Sequence, residues 1–484
     1  MKLNIYEEAS RCLLCEDAPC TQACRTGDPA RAIRAIRFDN SKPALQWVKD
    51  CSDEDLERAE QVCIHPGGSI NIKEILHNIS QDDVDNSNYP DLHIIFCGIH
   101  CENPFFLASS AVCTNYDMVS RAFEAGWAGV FYKTICMQEI KEVSPRFDAM
   151  HYNDTHGDFY GFRNMEQLSE NPVDLDFDIL HRLKKDYPSK VVIASIMGQT
   201  EEEWICLAKK AEEAGCDAIE LNFSCPQMKH KGMGSDVGQS QELVKKYTAC
   251  VKRSVSIPVI PKMTPNITHI AEPAVAAVEA GADAISAINT IKSVTMAAEA
   301  EVAGRRTISG YSGRAVRPIA LRHILELAQA LSHTSLSGIG GIETWRDALE
   351  FIQLGCTNVQ VCTAVMQYGY RIIDDLTLGL QRYMAKRNIT QLQHLVGEQL
   401  PKFFKPNNLD RDTIVYPKIV RDLCIGCGRC YISCMDGGHQ AVTFDTATRE
   451  PHIIGFKCVG CHLCRLVCPT GAISVCKRII KKNL

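Results

Sequence analysis

A chain of 484 residues with 45% hydrophobic content is long enough for roughly two to four domains with cores of their own. A formal net charge of −6 gives no basis for binding nucleic acid or an anionic membrane surface, and no apolar run approaches the ~20 residues of a membrane span. The first residues, M-K-L-N-I-Y-E-E-A-S-R, are acidic where a signal peptide would be apolar, so a cytoplasmic protein is expected.

Cysteine is the unusual residue, with 25 copies gathered toward the two ends. Disulfides do not suit a reducing compartment, so metal or cluster ligation accounts for them better. Residues 1–80 open with C-L-L-C-E-D-A-P-C-T-Q-A-C, a C-x2-C-x4-C-x3-C run at Cys12, Cys15, Cys20 and Cys24. Helical patterns follow over 31–37 and 54–62, with Cys51 and Cys63 after them. Four thiolates this close favour an iron–sulfur cluster over structural zinc, which usually takes two separated pairs; zinc stands as the alternative.

From about residue 90 to 370, apolar runs alternate with amphipathic helical patterns. The runs lie at 105–109, 129–134, 191–197, 218–225, 258–264, 284–290, 336–342 and 358–366. Helical patterns lie at 116–125, 201–214, 241–255, 270–280, 318–331 and 345–354, several closed by glycine (Gly126, Gly215, Gly281, Gly355). The 134–191 gap is too long for one helix and reads as an elaborated loop. Eight strands alternating with helices predict a (βα)8 barrel; the rival open sheet would carry a phosphate fingerprint after its first strand, and no G-x-G-x-x-G occurs.

A barrel sends every strand's C-terminal end to one face, where active sites form. The polar residues expected there are Ser109, Lys133, Thr134, Asn222, Ser224, Cys225, Lys262, Thr264, Asn289, Thr290, Gly340, Gly341, Cys362 and Thr363. Cys225 ends an apolar strand just before Pro226, and Gly232, Gly234 and Gly238 read as a hinged, mobile lid over it. Two lysines buried at strand ends need an anion or an electron-rich acceptor. Gly338, Gly340 and Gly341 after strand seven, with Cys362 and Thr363 after strand eight, stand where such barrels hold phosphate. FMN meets both requirements; a sugar phosphate is the runner-up but leaves the cysteines unexplained.

A helical and loop connector covers 376–415. Residues 416–484 then repeat C-x2-C-x2-C-x3-C at Cys424, Cys427, Cys430, Cys434 and at Cys458, Cys461, Cys464, Cys468, the two-cluster ferredoxin pattern. Because the fourth cysteine of each run serves the other cluster, one [4Fe–4S] is expected on Cys424, Cys427, Cys430 and Cys468. The second falls to Cys458, Cys461, Cys464 and Cys434, with Cys476 left as a plain thiol.

The strings N-F-S-C-P, G-M-G-S-D-V-G-Q, K-M-T-P-N, A-I-N-T, Y-S-G-R-A-V-R-P-I-A-L-R and S-G-I-G-G-I-E-T-W resemble the dihydropyrimidine dehydrogenases over about 90–475. The likeness is to the pyrimidine-reducing subunit of the bacterial NAD-dependent enzymes, to the C-terminal half of the single-chain animal enzyme, and more distantly to the dihydroorotate dehydrogenases. It implies an FMN-binding (βα)8 barrel over 90–375 and a two-[4Fe–4S] ferredoxin-like domain. Cys225 is then the proton donor and acceptor at pyrimidine C5, while Asn164, Glu166, Asn222, Ser224, Asn289 and Thr290 hold the pyrimidine edge. The implied flavin contacts are Ser109, Lys133, Thr134, Lys262, Gly313, Ile339, Gly340, Gly341, Cys362 and Thr363. Lys262 would lie near the N1–C2 end of the ring and stabilise its reduced, anionic form. Residues 1–80 resemble a small helical domain that carries two clusters in those relatives. Here one [4Fe–4S] on Cys12, Cys15, Cys20 and Cys63 is the first choice, with Cys24 a possible ligand and Cys51 unassigned. With no dinucleotide motif in the chain, electrons are expected from a flavoprotein partner that binds FAD and NAD(P)H, in a hetero-oligomer. Two alternatives are another cyclic imide or enone substrate such as dihydroorotate, and an electron-transfer module whose barrel has lost its chemistry.

Overall fold

The computed structural model describes residues 4–79, 89–151, 159–226, 233–296 and 301–481. The chain divides into two compact units, Met1–Leu400 and Pro401–Leu484.

The first unit is built around eight parallel strands: β1 (Phe105–Leu107), β2 (Gly129–Phe131), β3 (Val191–Met197), β4 (Ala218–Asn222), β5 (Val259–Lys262), β6 (Ala284–Ala287), β7 (Ser335–Ile339) and β8 (Cys356–Val361). They pair in sequence order, and β8 closes on β1 with Val359 opposite Phe105. This is the expected closed barrel. All seven residues of β3 are buried, as a strand covered on both faces must be.

Local sequence fixes the surrounding helices. Asn115 caps Tyr116–Ala125 by accepting from Met118 N, and Gly126 ends it at φ 111°. Thr344 and Asp347 form a capping box on Trp345–Gln353. Trp204, with no exposure, packs edge-on against Phe223 just past β4, with ring centroids 5.3 Å apart.

The structure departs from expectation in three places. The gap after β2 holds strands Phe147–His151 and Phe159–Asn164 and the helix Val173–Asp186. Those strands join Ile291–Ser293 and Ser309–Ser312 in a four-stranded antiparallel sheet. The run expected as a strand to 366 stops at Val361, and Thr363–Tyr368 is helical. Finally, the helix Ile373–Lys386 crosses the expected boundary at 375 and packs on Trp345–Gln353, bringing Tyr383 within 5.8 Å of Trp345, centroid to centroid.

The N-terminal helices of the same unit have their own apolar centre, including Ile33, Ile36, Ile72 and Ile75. They dock on the barrel through Arg34 Nε, 2.8 Å from the buried Asp375 Oδ2, and through Phe38, edge-on to Tyr368 at 5.1 Å.

The second unit is small. Its helices Arg429–Gly437 and Leu463–Leu466 lie among short antiparallel pairs, such as Val442–Asp445 with Glu450–Ile453. Cysteines supply much of its core: Cys430, Cys434 and Cys464 are buried beside Ala441, Val442 and Ile473. A core this slight needs staples, and thiolate ligation is one.

Candidate active site

One cavity opens at the C-terminal ends of the barrel strands, with a volume of about 1050 Å³ counting its mouth. All ten expected flavin contacts line it: Ser109, Lys133, Thr134, Lys262, Gly313, Ile339, Gly340, Gly341, Cys362 and Thr363. So do Cys225, Asn164, Glu166, Asn222, Asn289 and Thr290.

Ser224 does not line it. It lies fully buried behind the wall, donating from Oγ to Asn222 Oδ1 at 2.8 Å and accepting from Asn289 Nδ2 at 2.9 Å. Asn222 Nδ2 donates in turn to Thr134 Oγ1 at 2.9 Å. With Oδ1 taken by Ser224 and one Nδ2 hydrogen by Thr134, what Asn222 has left to offer is its second N–H. Asn289 Oδ1 accepts from Thr290 N at 2.7 Å. Both amides are thus held by neighbouring residues, their oxygens already engaged and one Nδ2 hydrogen of each left to meet a carbonyl oxygen.

Two buried lysines carry the positive charge. Lys133 Nζ is 3.1 Å from Glu166 Oε2, and Arg146 lies 3.4 Å from the other oxygen of that carboxylate. Lys262 Nζ is 3.6 Å from Glu220 Oε1 on the neighbouring strand. Both lysines lining the cavity therefore already face carboxylates.

The glycines after β7 differ in role. Gly340 (φ 130°) and Gly341 (φ 77°) hold backbone that other residues rarely adopt, and a Cβ on Gly341 would come within 2.8 Å of Gly313 O. Gly338 faces away: a Cβ there would meet Phe351 and Cys356, so it is a packing residue. Around Gly238 the backbone of the expected lid is closely packed. A Cβ on Gly238 would collide with Phe223 O, and Ser235 N donates to Cys225 O at 2.9 Å. Gly238 thus permits close packing, while Gly232 lies outside the described residues.

The residues present fit FMN. Close backbone at Gly313, Gly340 and Gly341 can receive a phosphate without side-chain obstruction. Gln360, almost fully buried in the cavity wall, leaves Oε1 without a hydrogen-bond partner among the described residues, an acceptor that a ring N–H would satisfy. Phe162, Tyr311 and Ser312 also line the cavity from the four-stranded sheet; sequence reasoning misses them because Phe162 falls in the gap read as loop and Tyr311 and Ser312 lie outside the eight predicted strand runs.

Cys12, Cys15, Cys20 and Cys63 line a second cavity, floored by Ile33, Ile70 and Ile72, with Leu13 and Ile64 exposed at its edge. Burial pushes the Cys20 thiol up to about 11, with the neighbouring Cys12 adding to it. Such thiols ionise readily only beside a positive centre. Cys24 is not in this lining; its sulfur lies 3.0 Å from that of Cys51.

In the second unit, Cys424, Cys427, Cys430 and Cys468 line one cavity, and Cys434, Cys458, Cys461 and Cys464 another. The crossed grouping is the one the spacing predicts. Gly426 and Gly428 in one loop, and Gly460 and His462 in the other, have positive φ, so the two loops turn alike. Ala441 N and Ala472 N donate to the sulfurs of Cys434 and Cys468 at 3.3 and 3.2 Å. The sites suit [4Fe–4S] clusters, whose potentials such bonds tune.

The family model described as dihydroorotate dehydrogenase matches residues 91–384, and that of the 4Fe-4S dicluster domain matches 417–475. The chain is 51% identical over 400 residues to the NAD-dependent dihydropyrimidine dehydrogenase subunit PreA of Escherichia coli (strain K12), covering 81% of this chain and 97% of that protein. It is 39% identical over 332 residues to the chloroplastic dihydropyrimidine dehydrogenase (NADP(+)) of Arabidopsis thaliana, covering 65% of this chain and 78% of that one. Against the catalytic subunit of dihydroorotate dehydrogenase B (NAD(+)) of Pyrococcus abyssi, identity is 36% over 312 residues, covering 63% and 98%. Among the described residues no helix is long and apolar enough to cross a membrane.

Proposed function

The chain belongs to the dihydroorotate dehydrogenase family, and we propose that it is the pyrimidine-reducing subunit of a dihydropyrimidine dehydrogenase, interconverting uracil or thymine with the 5,6-dihydro form. It is an oxidoreductase acting on CH–CH bonds, with a flavin and iron–sulfur clusters. The finer reading is FMN in the barrel, two [4Fe–4S] clusters in the second unit and one in the N-terminal helices.

The observation that carries it is one cavity lined by a thiol, oriented amides and two lysines beside an unobstructed backbone cradle. FMN, when bound, would supply hydride exchange at pyrimidine C6. Cys225 holds the proton that C5 gains or loses. Asn222 and Asn289 present N–H donors to the imide carbonyls, with Asn164, Glu166 and Thr290 completing the edge. Lys262 offers positive charge where the ring gains negative charge.

Dihydroorotate is the rival substrate, given the likeness to dihydroorotate dehydrogenase B. It carries a carboxylate at C6, which needs a free cation. Both lining lysines already face carboxylates, which favours a neutral imide.

Electrons reach the barrel from a partner that oxidises NAD(P)H on FAD; the similar Escherichia coli protein is named a subunit, in keeping with a hetero-oligomer. The N-terminal cysteine cavity, with Leu13 and Ile64 exposed beside it, is the proposed entry. The test is to reduce anaerobically purified protein and add uracil or, separately, orotate. Flavin reoxidation by uracil alone is the expected result; reoxidation by orotate alone would make dihydroorotate the product, and by neither would leave an electron-transfer module.

A further inference from the structure

We propose that Glu220 is a positioning residue for Lys262, a carboxylate sealed beneath the cavity that sets where the ammonium stands and how much of its charge reaches the flavin. The inference rests on the reading above, in which Lys262 faces bound FMN.

Glu220 sits in the middle of β4 with no exposure, two residues before Asn222, so the strand's pleat turns both the same way. Lys262 on β5 brings Nζ within 3.6 Å of its Oε1. The same oxygen accepts from Ser195 Oγ on β3 at 2.9 Å, and Oε2 accepts from Ser286 Oγ on β6 at 3.1 Å. Gln360 on β8 extends the set, donating to Ser286 Oγ at 3.0 Å and to Ser337 Oγ on β7 at 2.8 Å. Barrel interiors are ordinarily filled by branched apolar side chains, so a carboxylate met from three other strands, and linked through Ser286 to two more, asks for a reason.

The network's direction supplies one. Lys262 lines the cavity and Glu220 does not, so the anion stands behind the cation. Ser195 Oγ also lies 2.9 Å from Thr134 Oγ1, which meets Ser109 Oγ at 3.0 Å and Asn222 Nδ2 at 2.9 Å. The carboxylate is thereby joined to flavin-side and substrate-side residues at once. A negative charge this close to an ammonium offsets much of its field at the ring. A carboxylate that only filled space would leave the flavin's charge preference untouched.

Sulfite distinguishes these roles in the full-length, FMN-loaded protein. Its sulfur lone pair forms a bond to flavin N5 and leaves the ring anionic, so its affinity reports the positive potential there. Glu220→Gln keeps the size of the side chain and one acceptor oxygen, while the serine facing the amide nitrogen turns to accept its N–H. It should retain FMN and bind sulfite roughly tenfold more tightly, because Lys262 is no longer offset. Glu220→Asp should return the affinity toward wild type. In a Lys262→Met background there is no ammonium left for the carboxylate to offset, so adding Glu220→Gln should change sulfite affinity far less than it does in the wild type. Unchanged or weaker sulfite binding in Glu220→Gln, or equal tightening in both backgrounds, overturns the inference alone. A wild-type protein that holds no FMN overturns the proposed function instead.

Discussion

Asn289 Nδ2 and Asn222 Oδ1 are joined through one hydroxyl, that of Ser224, at 2.9 and 2.8 Å. The hydroxyl pins the oxygen of one amide and the nitrogen of the other, although Ser224 itself is out of the cavity's reach. Ser224→Ala should raise KM for uracil several-fold, the scale of a lost bond of ~1 kcal/mol, and lower kcat less. Equal loss in kcat and kcat/KM would mean that the serine acts in the transition state instead.

Cys225→Ala should keep FMN and all the iron yet lose turnover by ~10²–10⁴-fold, because C5 then has no proton donor. Steady-state rates and cofactor analysis on the same preparation check this. Near-normal turnover would remove Cys225 from the chemistry.

Iron content should be about twelve per chain, four for each of three [4Fe–4S] clusters. Cys63→Ser should remove about four and Cys24→Ser none, because Cys24 packs against Cys51 outside the N-terminal cavity. Zinc in place of the N-terminal iron would end that assignment.

Asp375 joins the N-terminal helices to the barrel through Arg34. Burial pushes its carboxyl up to about 6 despite the guanidinium. A carboxyl raised above its unfolded value favours the folded state most below ~pH 4, and that contribution is lost as pH rises through about 6. Stability of the wild type relative to Asp375→Asn should therefore fall by ~2–3 kcal/mol between pH 4 and 6. Denaturant melts of both proteins across that range measure it; parallel pH curves would refute it.

The barrel was legible because each strand is an apolar run and several helices end in glycine, signals that need no long-range knowledge. Most site residues followed, since a parallel barrel collects strand ends on one face. Ser224 was misplaced because position at a strand end does not say whether a side chain faces the cavity or its neighbours. Gly238 read as a hinge, yet its missing Cβ makes room for Phe223 O, a contact invisible until the chain folds. Phe162 and Tyr311 were missed for a related reason: their sheet pairs residues about 150 apart, such as Gly310 with Asn164. Glu220 gains its meaning only from Ser195, Lys262 and Ser286 on three other strands.

The chain alone should not oxidise NADH or NADPH at a useful rate, and a flavoprotein partner should restore the activity. No G-x-G-x-x-G follows any strand, so the usual close backbone approach to a pyrophosphate at a helix N-terminus is not offered. The cysteine cavities lie in the N-terminal helices and the C-terminal unit, on either side of the barrel in sequence, which suits electrons arriving from elsewhere. The assay is NADH-dependent uracil reduction by the chain alone, with partner, and with residues 1–80 deleted. Activity is expected only for the intact chain with partner, while dithionite should drive uracil reduction without one. Rapid NADH oxidation by the chain alone would reveal a nicotinamide site of its own. Full activity of the deleted form with partner would move electron entry away from the N-terminal cysteines, and with it the role proposed for Leu13 and Ile64 at the edge of their cavity.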